Sequence, residues 1–379
     1  MAHAVYIHIP FCTNKCHYCD FNSYVVKGQP IMDYLKALDL EMKKTLEIDP
    51  PEKIQTIFVG GGTPTVLSSK EMEYFLKTIR NHFEDWDQNI EFTMEANPGT
   101  VEIEKLQIMK EYGVNRLSIG VQAFQDDLLS YIGRIHNVRD VYQSIDNAHK
   151  VGLTNMNIDL MIGLPHQTIE MVKESLDKAF ALDLPHFSVY SLKVEENTLF
   201  HTLFQRNQLP LPTEDEELNM YLTTIEKMQK HGYRHYEISN FAKKGVESKH
   251  NITYWKNEDY YGFGAGAHGY LEGKRYMNLK GIIPYIEKLQ KENQLPRLEE
   301  FEVSLEEKKE DMLMLGLRML EGVKFADYER IFGETMESKF GPVITKLISK
   351  GLLIKDEKRI RLTKKGLIYG NEVFAEFLS

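Results

Sequence analysis

Along the first half of the chain, apolar and polar positions repeat as short buried strands followed by amphipathic helices. Val5–Ile9 is apolar enough for a strand, and Pro10 closes it. Leu35, Leu38, Met42 and Leu46 then recur at helical spacing, predicting a helix from about Met32 to Leu46 that Asp49-Pro50-Pro51 stops. Ile54–Val59 reads as a buried strand running into Gly60-Gly61-Gly62-Thr63-Pro64, and Ser68 is placed to cap a helix through about Asn81. Ile90–Glu95 is the next strand, with Thr100 as the cap of the helix after it. Arg116–Val121, Thr154–Ile162 and Phe187–Leu192 repeat the strand pattern, with helical segments near 126–150 and 168–182 between them.

Alternation of this kind, about six times over, predicts an α/β fold with a parallel sheet and helices outside it. The pattern alone allows an open doubly wound sheet or a curved partial (β/α)6 barrel. In both, ligands gather at the carboxyl ends of the strands. The polar and glycine signals fall there: a cysteine-bearing loop at 10–23, Gly60–Thr63, Glu95, Gln122 and Asp159.

Past about residue 210 the pattern changes. A helix over Glu214–Lys230 precedes a glycine- and aromatic-rich stretch reaching Tyr276. From about Ile283 the chain is helical and more charged, and Gly351–Ile354 with Arg359–Leu362 reads as the hairpin of a winged helix. The expected division is a barrel over 1–210, an extension over 211–282, and a smaller, mostly helical, winged domain over 283–379. Basic residues of the hairpin (Lys355, Lys358, Arg359, Arg361) raise DNA binding as an option, which Asp356 and Glu357 weaken.

Composition narrows the classes. The 379 residues are 42% hydrophobic and 27% charged, as expected of an ordered globular chain, and the formal net charge of −10 opposes broad nucleic-acid binding. No apolar run approaches the ~20 residues of a membrane span, and the first residues lack the basic start and apolar stretch of a secretion signal. The expectation is a cytoplasmic protein, with peripheral attachment to a membrane left open.

All three cysteines sit within Pro10–Phe21 as Cys12-x3-Cys16-x2-Cys19. A disulfide would leave one thiol over. Structural zinc would need a fourth ligand, with His17 the nearest candidate. An iron–sulfur cluster held by three thiolates would keep one iron free for a small molecule. Gly60–Pro64 could be a tight turn, or a place where backbone groups meet a ligand directly.

This loop after a first strand, with Tyr18 before the last cysteine, resembles the cluster loop of the radical S-adenosylmethionine (SAM) superfamily. The resemblance implies a [4Fe–4S] cluster on Cys12, Cys16 and Cys19, with SAM chelated by the open iron. Tyr6, Gly60–Pro64, Glu95–Pro98, Gly120–Gln122, Arg134 and Asn157–Pro165 narrow it to the oxygen-independent coproporphyrinogen III dehydrogenase group, over nearly the whole chain. By that resemblance Tyr6, Gly61 and Glu95 would contact the cluster-bound SAM. Tyr18, Gly62, Thr63, Gln122, Arg134 and Asp159 match positions that line a second SAM in the dehydrogenase.

Two departures point to a sister family. Phe21 stands where the dehydrogenase has a further cysteine, and Cys12 comes without the dehydrogenase's N-terminal extension. Both features are similar to the HemW heme chaperones, as is His250-Asn251-Ile252-Thr253-Tyr254-Trp255, which fits their His-Asn-x-x-Tyr-Trp motif. The resemblance implies heme at or near His250 and delivery to apo-hemoproteins, membrane-bound respiratory enzymes among them. Taken without the family, His250 is one of 13 histidines, more often an ordinary buried side chain. The alternative function is oxidative decarboxylation of coproporphyrinogen III. A regulator with a sensory cluster is a distant third. The expected partners are heme and its acceptors, no nucleic acid, with a homodimer left open.

Overall fold

The computed structural model describes residues 2–378. β1 (Ala4–Ile9) leads into the cysteine loop, where the two-residue strands β2 (Phe11–Cys12) and β3 (Tyr24–Val25) pair in parallel. There follow α1 (Ile31–Ile48), β4 (Ile54–Gly61), α2 (Ser69–His82), β5 (Trp86–Ala96), α3 (Ile103–Glu111) and β6 (Arg116–Gln122). Next come α4 (Asp126–Tyr131), α5 (Val138–Lys150), β7 (Met156–Ile162), α6 (Ile169–Phe180) and β8 (His186–Ser191).

β1, β4, β5, β6, β7 and β8 lie side by side in chain order, every neighbouring pair parallel. A doubly wound sheet reverses its strand order at a switch point. Here nothing reverses, so right-handed crossovers put successive helices on one face and the sheet wraps as part of a barrel. Strand periodicity sorts the residues: Leu117, Ile119 and Val121 of β6 are buried in the core under the helices, while Ser118, Gly120 and Gln122 line the inside.

Two local readings fare differently. Ser68 caps α2 through a reciprocal capping box with Glu71. Thr100 does not cap α3. Its hydroxyl donates to Asn97 O (2.7 Å), and the helix begins three residues on, after Glu102 and without a side-chain cap. The helical stretch 126–150 is two helices, broken at Gly133 (φ +78°), and the break carries Arg134.

The rest of the chain extends the same sheet at both edges. After α7 (Leu199–Gln205) and α8 (Glu214–Lys230), β9 (Arg234–Glu237) and β10 (Asn240–Ala242) join antiparallel beyond β8. α9 (Lys249–Trp255) then carries the chain across to β11 (Tyr260–Phe263), which pairs parallel with the free side of β1. β12 (His268–Leu271), β13 (Lys274–Asn278) and, after α10 (Ile282–Gln290), β14 (Arg297–Glu302) complete a twelve-stranded sheet. Gly262 is obligatory at the β11–β12 turn-back, since a Cβ there would lie 1.7 Å from the His268 carbonyl oxygen.

The boundary expected at residue 283 falls inside this first unit, because Ile282, Tyr285 and Leu289 of α10 pack into the barrel core. A second core begins at Leu313. It is built from α11 (Leu305–Gly316), β15 (Val323–Lys324), α12 (Phe325–Phe332), α13 (Met336–Ser349), β16 (Leu353–Lys355), β17 (Arg359–Leu362), α14 (Lys364–Ile368) and α15 (Gly370–Ala375). The predicted hairpin is present, with β15 as a third strand. Two of its basic side chains are matched by carboxylates, Lys355 by Glu337 and Arg359 by Glu321. No helix among the described residues is long and apolar enough to cross a membrane.

Candidate functional site

The cysteine loop is stitched to three neighbours. Gly62 and Thr63 amides donate to Ile9 O (2.9 Å) and Phe11 O (2.7 Å), which seats the glycine turn after β4 against the loop. The His17 amide donates to Ile132 O (3.0 Å), Asn14 Nδ2 donates to Gly133 O (3.0 Å), and Asn22 Nδ2 donates to Ala265 O (2.8 Å). The loop's shape is therefore set by residues far away in sequence.

Cys12, Cys16 and Cys19 are free, half-buried thiols around one cavity of about 120 Å³. Tyr18, Gly61, Gly62, Thr63, Glu95, Gln122, Arg134 and Asp159 line the same cavity. Every expected cluster or SAM residue is thus assembled there except Tyr6, whose hydroxyl lies 2.9 Å from His8 Nδ1. His17 is turned away, with Nδ1 2.8 Å from Tyr131 O. Among the described residues no set of three Cys, His, Asp or Glu side chains is arranged to hold one metal ion, as closed zinc coordination requires.

The donor set fits a polynuclear cluster, in which each thiolate takes its own iron. Burial pushes the Cys19 thiol up to about 11, with further upward pressure from Cys16 and Cys12; three thiolates in one cavity call for a compensating positive charge. Two donors already address the sulfurs, Arg134 Nη1 to Cys16 Sγ (3.4 Å) and Thr63 Oγ1 to Cys12 Sγ (3.6 Å). Arg134 also donates to Gly120 O and Asn97 Oδ1, and its buried Nε has no partner among the described residues. A further sign of a built site is Gln122 at φ +70°, where the β6–β7 register shifts.

Glu95 accepts from the Gly61 amide (3.0 Å). Burial, reinforced by Asp159, pushes its carboxyl up to about 8 from an ordinary 4.5. The folded chain therefore holds a proton there that the unfolded chain has released. Between about pH 4.5 and 8 stability should fall as pH rises, by at most ~1.4 kcal/mol per pH unit. Urea unfolding of the metal-free protein across this window should show a steeper decline than Glu95→Gln shows; parallel curves would remove Glu95 as the cause.

A second cavity of about 290 Å³ adjoins the first, sharing Tyr18, Phe21, Glu95, Ser118, Gln122 and Asp159 with it. Arg116 lines it and sequence reasoning passed it over. The signal was there, in the inward series Arg116, Ser118, Gly120, Gln122. Asn157, also in this cavity, donates to Asp159 Oδ1 (2.8 Å) and Ser118 Oγ (2.8 Å) and so orients the aspartate.

His250 lies apart from the cysteines, on α9. Its Nδ1 is 2.9 Å from Thr56 Oγ1 and its Nε2 is 2.9 Å from Tyr254 OH, and its ring stacks on Phe58. Burial, with the nearby Arg116 charge, pulls its pKa down to about 3, so the imidazole is neutral. The helix itself is clamped by Glu91 of β5. That carboxylate accepts from Ser248 Oγ (3.2 Å) and from the amides of Lys249 (3.0 Å) and His250 (3.1 Å). From α9, Asn251 reaches the inner cavity.

Three thiols thus lie beside a glycine turn at the carboxyl ends of a parallel partial barrel, the arrangement expected of a radical SAM protein. The model of the radical SAM superfamily matches residues 6–179, and that of the HemN C-terminal domain matches 303–369. Among curated proteins the chain is 46% identical to a heme chaperone HemW of Bacillus subtilis over 99% of both chains. It is 34% identical to the Escherichia coli heme chaperone HemW, covering 99% of this chain and 98% of that one. Among solved structures, E. coli coproporphyrinogen III oxidase (HemN) shares the fold, with a TM-score of 0.86 at 22% identity over 99% of this chain and 89% of that one. The chain belongs to the heme chaperone HemW family.

Proposed function

We propose that this protein is a heme chaperone that binds a [4Fe–4S] cluster, SAM and heme, and passes the heme to apo-hemoproteins. The observation that carries the reading is the full-length identity to curated heme chaperones. The cavity that unites Cys12, Cys16 and Cys19 supports the cluster independently. When bound, the cluster would supply the electron that activates SAM.

The chain's own residues have definable tasks in this reading. Cys12, Cys16 and Cys19 hold the irons, and Arg134 and Thr63 hydrogen-bond their sulfurs. The Gly61 turn and Glu95 offer backbone groups and a carboxylate to the SAM ammonium, whose charge favours ionised Glu95. Tyr18, Gly62, Gln122 and Asp159 line the remaining wall. Tyr6 acts from behind, through His8, whose Nε2 is 2.8 Å from Asn22 O in the loop. By the family resemblance heme would be held at or near His250, whose Nε2 now shares a hydrogen bond with the Tyr254 hydroxyl.

The dehydrogenase is the competing reading, favoured by the shared fold and opposed by Phe21, which stands 60% exposed at the cavity. Anaerobically reconstituted protein separates the two when given coproporphyrinogen III, SAM and a low-potential reductant, with a parallel heme titration. The expected result is saturable heme binding, weakened at least tenfold by His250→Ala, and no porphyrin product. Repeated turnover to protoporphyrinogen would overturn the chaperone reading. The resemblance extends the proposal to acceptors among membrane-bound respiratory enzymes and to a peripheral, homodimeric state, which liposome flotation and sedimentation would test.

A further inference from the structure

The inner cavity of about 290 Å³ carries a charge, Arg116, that neither the cluster nor the SAM site uses. Strand register sets the levels inside the barrel. Glu95 of β5 stands opposite Ser118 of β6, and one inward-facing step towards the amino ends Thr93 stands opposite Arg116. One step deeper again, Thr56 and Glu91 stand opposite each other and hold α9. Arg116 therefore lies between the level of Glu95 and the helix that closes the barrel below it.

The Arg116 side chain is 2% exposed, and a guanidinium cannot shed its charge by deprotonation. Its one hydrogen bond among the described residues is a long contact from Nη1 to Thr93 Oγ1 (3.4 Å), and its buried Nε has no partner. No carboxylate among the described residues forms an ion pair with it. The inward carboxylates at neighbouring levels are committed elsewhere: Glu91 to the first turn of α9, Glu95 to the Gly61 amide, and Asp159 to Asn157 Nδ2. Two nearby imidazoles, His186 and His250, are held neutral by burial and by the Arg116 charge itself. A buried cation without a partner is strongly unfavourable, and an entering anion offsets that cost. Asn251 lines the same cavity, and its side-chain amide makes no hydrogen bond among the described residues. Phe58 and Met161 supply apolar wall.

We propose that the inner cavity binds a carboxylate, with Arg116 as its counter-ion and the Asn251 amide as a hydrogen-bond donor in the same cavity. A guanidinium matches the planar, two-oxygen geometry of that group. The cavity volume limits the ligand to a short organic acid, or to the amino-acid end of a SAM molecule that reaches in from the adjoining cavity. The inference does not depend on where heme is held. Within the His-Asn-x-x-Tyr-Trp segment it gives Asn251 a ligand-facing task, whereas the His250 ring is bonded to Thr56 and Tyr254.

The test is equilibrium dialysis of the full-length, anaerobically reconstituted protein against radiolabelled propionate, at ionic strength fixed with sodium chloride. Wild type should take up propionate saturably, displaced by unlabelled propionate and not by the neutral propionamide. Arg116→Met should weaken uptake by about tenfold or more, and Asn251→Ala by about threefold. A parallel dialysis against SAM identifies the source of the carboxylate. A second equivalent of SAM that competes with propionate and is lost in Arg116→Met assigns it to SAM; a single equivalent in both proteins, with propionate still bound, assigns it to an organic acid. In thermal melts without metal or ligand, Arg116→Met should match or exceed wild type, because it removes an unpaired buried charge. Wild type that takes up neither propionate nor a second SAM would overturn the assignment. So would an Arg116→Met protein melting well below wild type while Asn251→Ala binds propionate unchanged, which would make Arg116 a structural residue.

Discussion

Replacing any one of Cys12, Cys16 or Cys19 with serine should reduce reconstituted iron from ~4 per chain to near zero, with loss of the broad visible absorption of the cluster. The chain contains three cysteines and all three line one cavity, so no spare thiol can substitute. A serine hydroxyl is a hard, protonated oxygen at neutral pH and a poor match for iron that soft thiolates otherwise hold. The same substitutions should leave metal-free stability almost unchanged, because the thiols are half-buried and the loop is fixed by Asn14, Asn22 and backbone contacts. Iron and sulfide analysis after anaerobic reconstitution, beside a thermal melt, reads both effects. A single variant that retains full iron content would refute the three-thiolate site.

Glu91→Ala should destabilise the protein by about 2–4 kcal/mol, the cost of stranding several buried donors that share one charged acceptor. The carboxylate receives the Ser248 hydroxyl and two first-turn amides of α9, where a negative charge also opposes the positive end of the helix. α9 has seven residues and little stability of its own. Glu91→Gln keeps an acceptor without the charge and should lose about half as much. Urea unfolding of the metal-free protein measures this, and a change below ~0.5 kcal/mol for the alanine variant would show that α9 is held by packing alone. His250 sits in the first turn of α9, so under the proposed placement of heme at His250 its affinity should fall with Glu91→Ala even though Glu91 lies in β5.

The first six strands and the cysteine loop were legible because each strand is short, apolar and followed by its own punctuation. Six such segments in series admit few topologies. Strand order separated the partial barrel from the doubly wound sheet, and no local pattern encodes that. The later strands were not legible as part of the same sheet. β9 and β10 are four and three residues long, and β14, Arg297–Glu302, is an exposed, acidic edge without an apolar alternation. Thr100 misled because its hydroxyl satisfies a turn carbonyl instead of a helix amide. Among site residues, the motif brought Glu95, Arg134 and Asp159 to attention, but Arg116 and Glu91 were hidden as charged residues inside strands, where only tertiary structure shows their use.

The placement of β1 has a consequence for how the protein comes to be made. Val5 pairs with Ile57 on one side and with Tyr261 on the other. β1 thus keeps one edge open until β11 has been synthesised, a high-contact-order arrangement that folds slowly. The cysteine loop shares that wait, since Asn22 finds its Ala265 and Lys280 carbonyls only after the same segment arrives. Iron loading should accordingly follow synthesis, and nascent chains stalled before β11 should not retain a cluster.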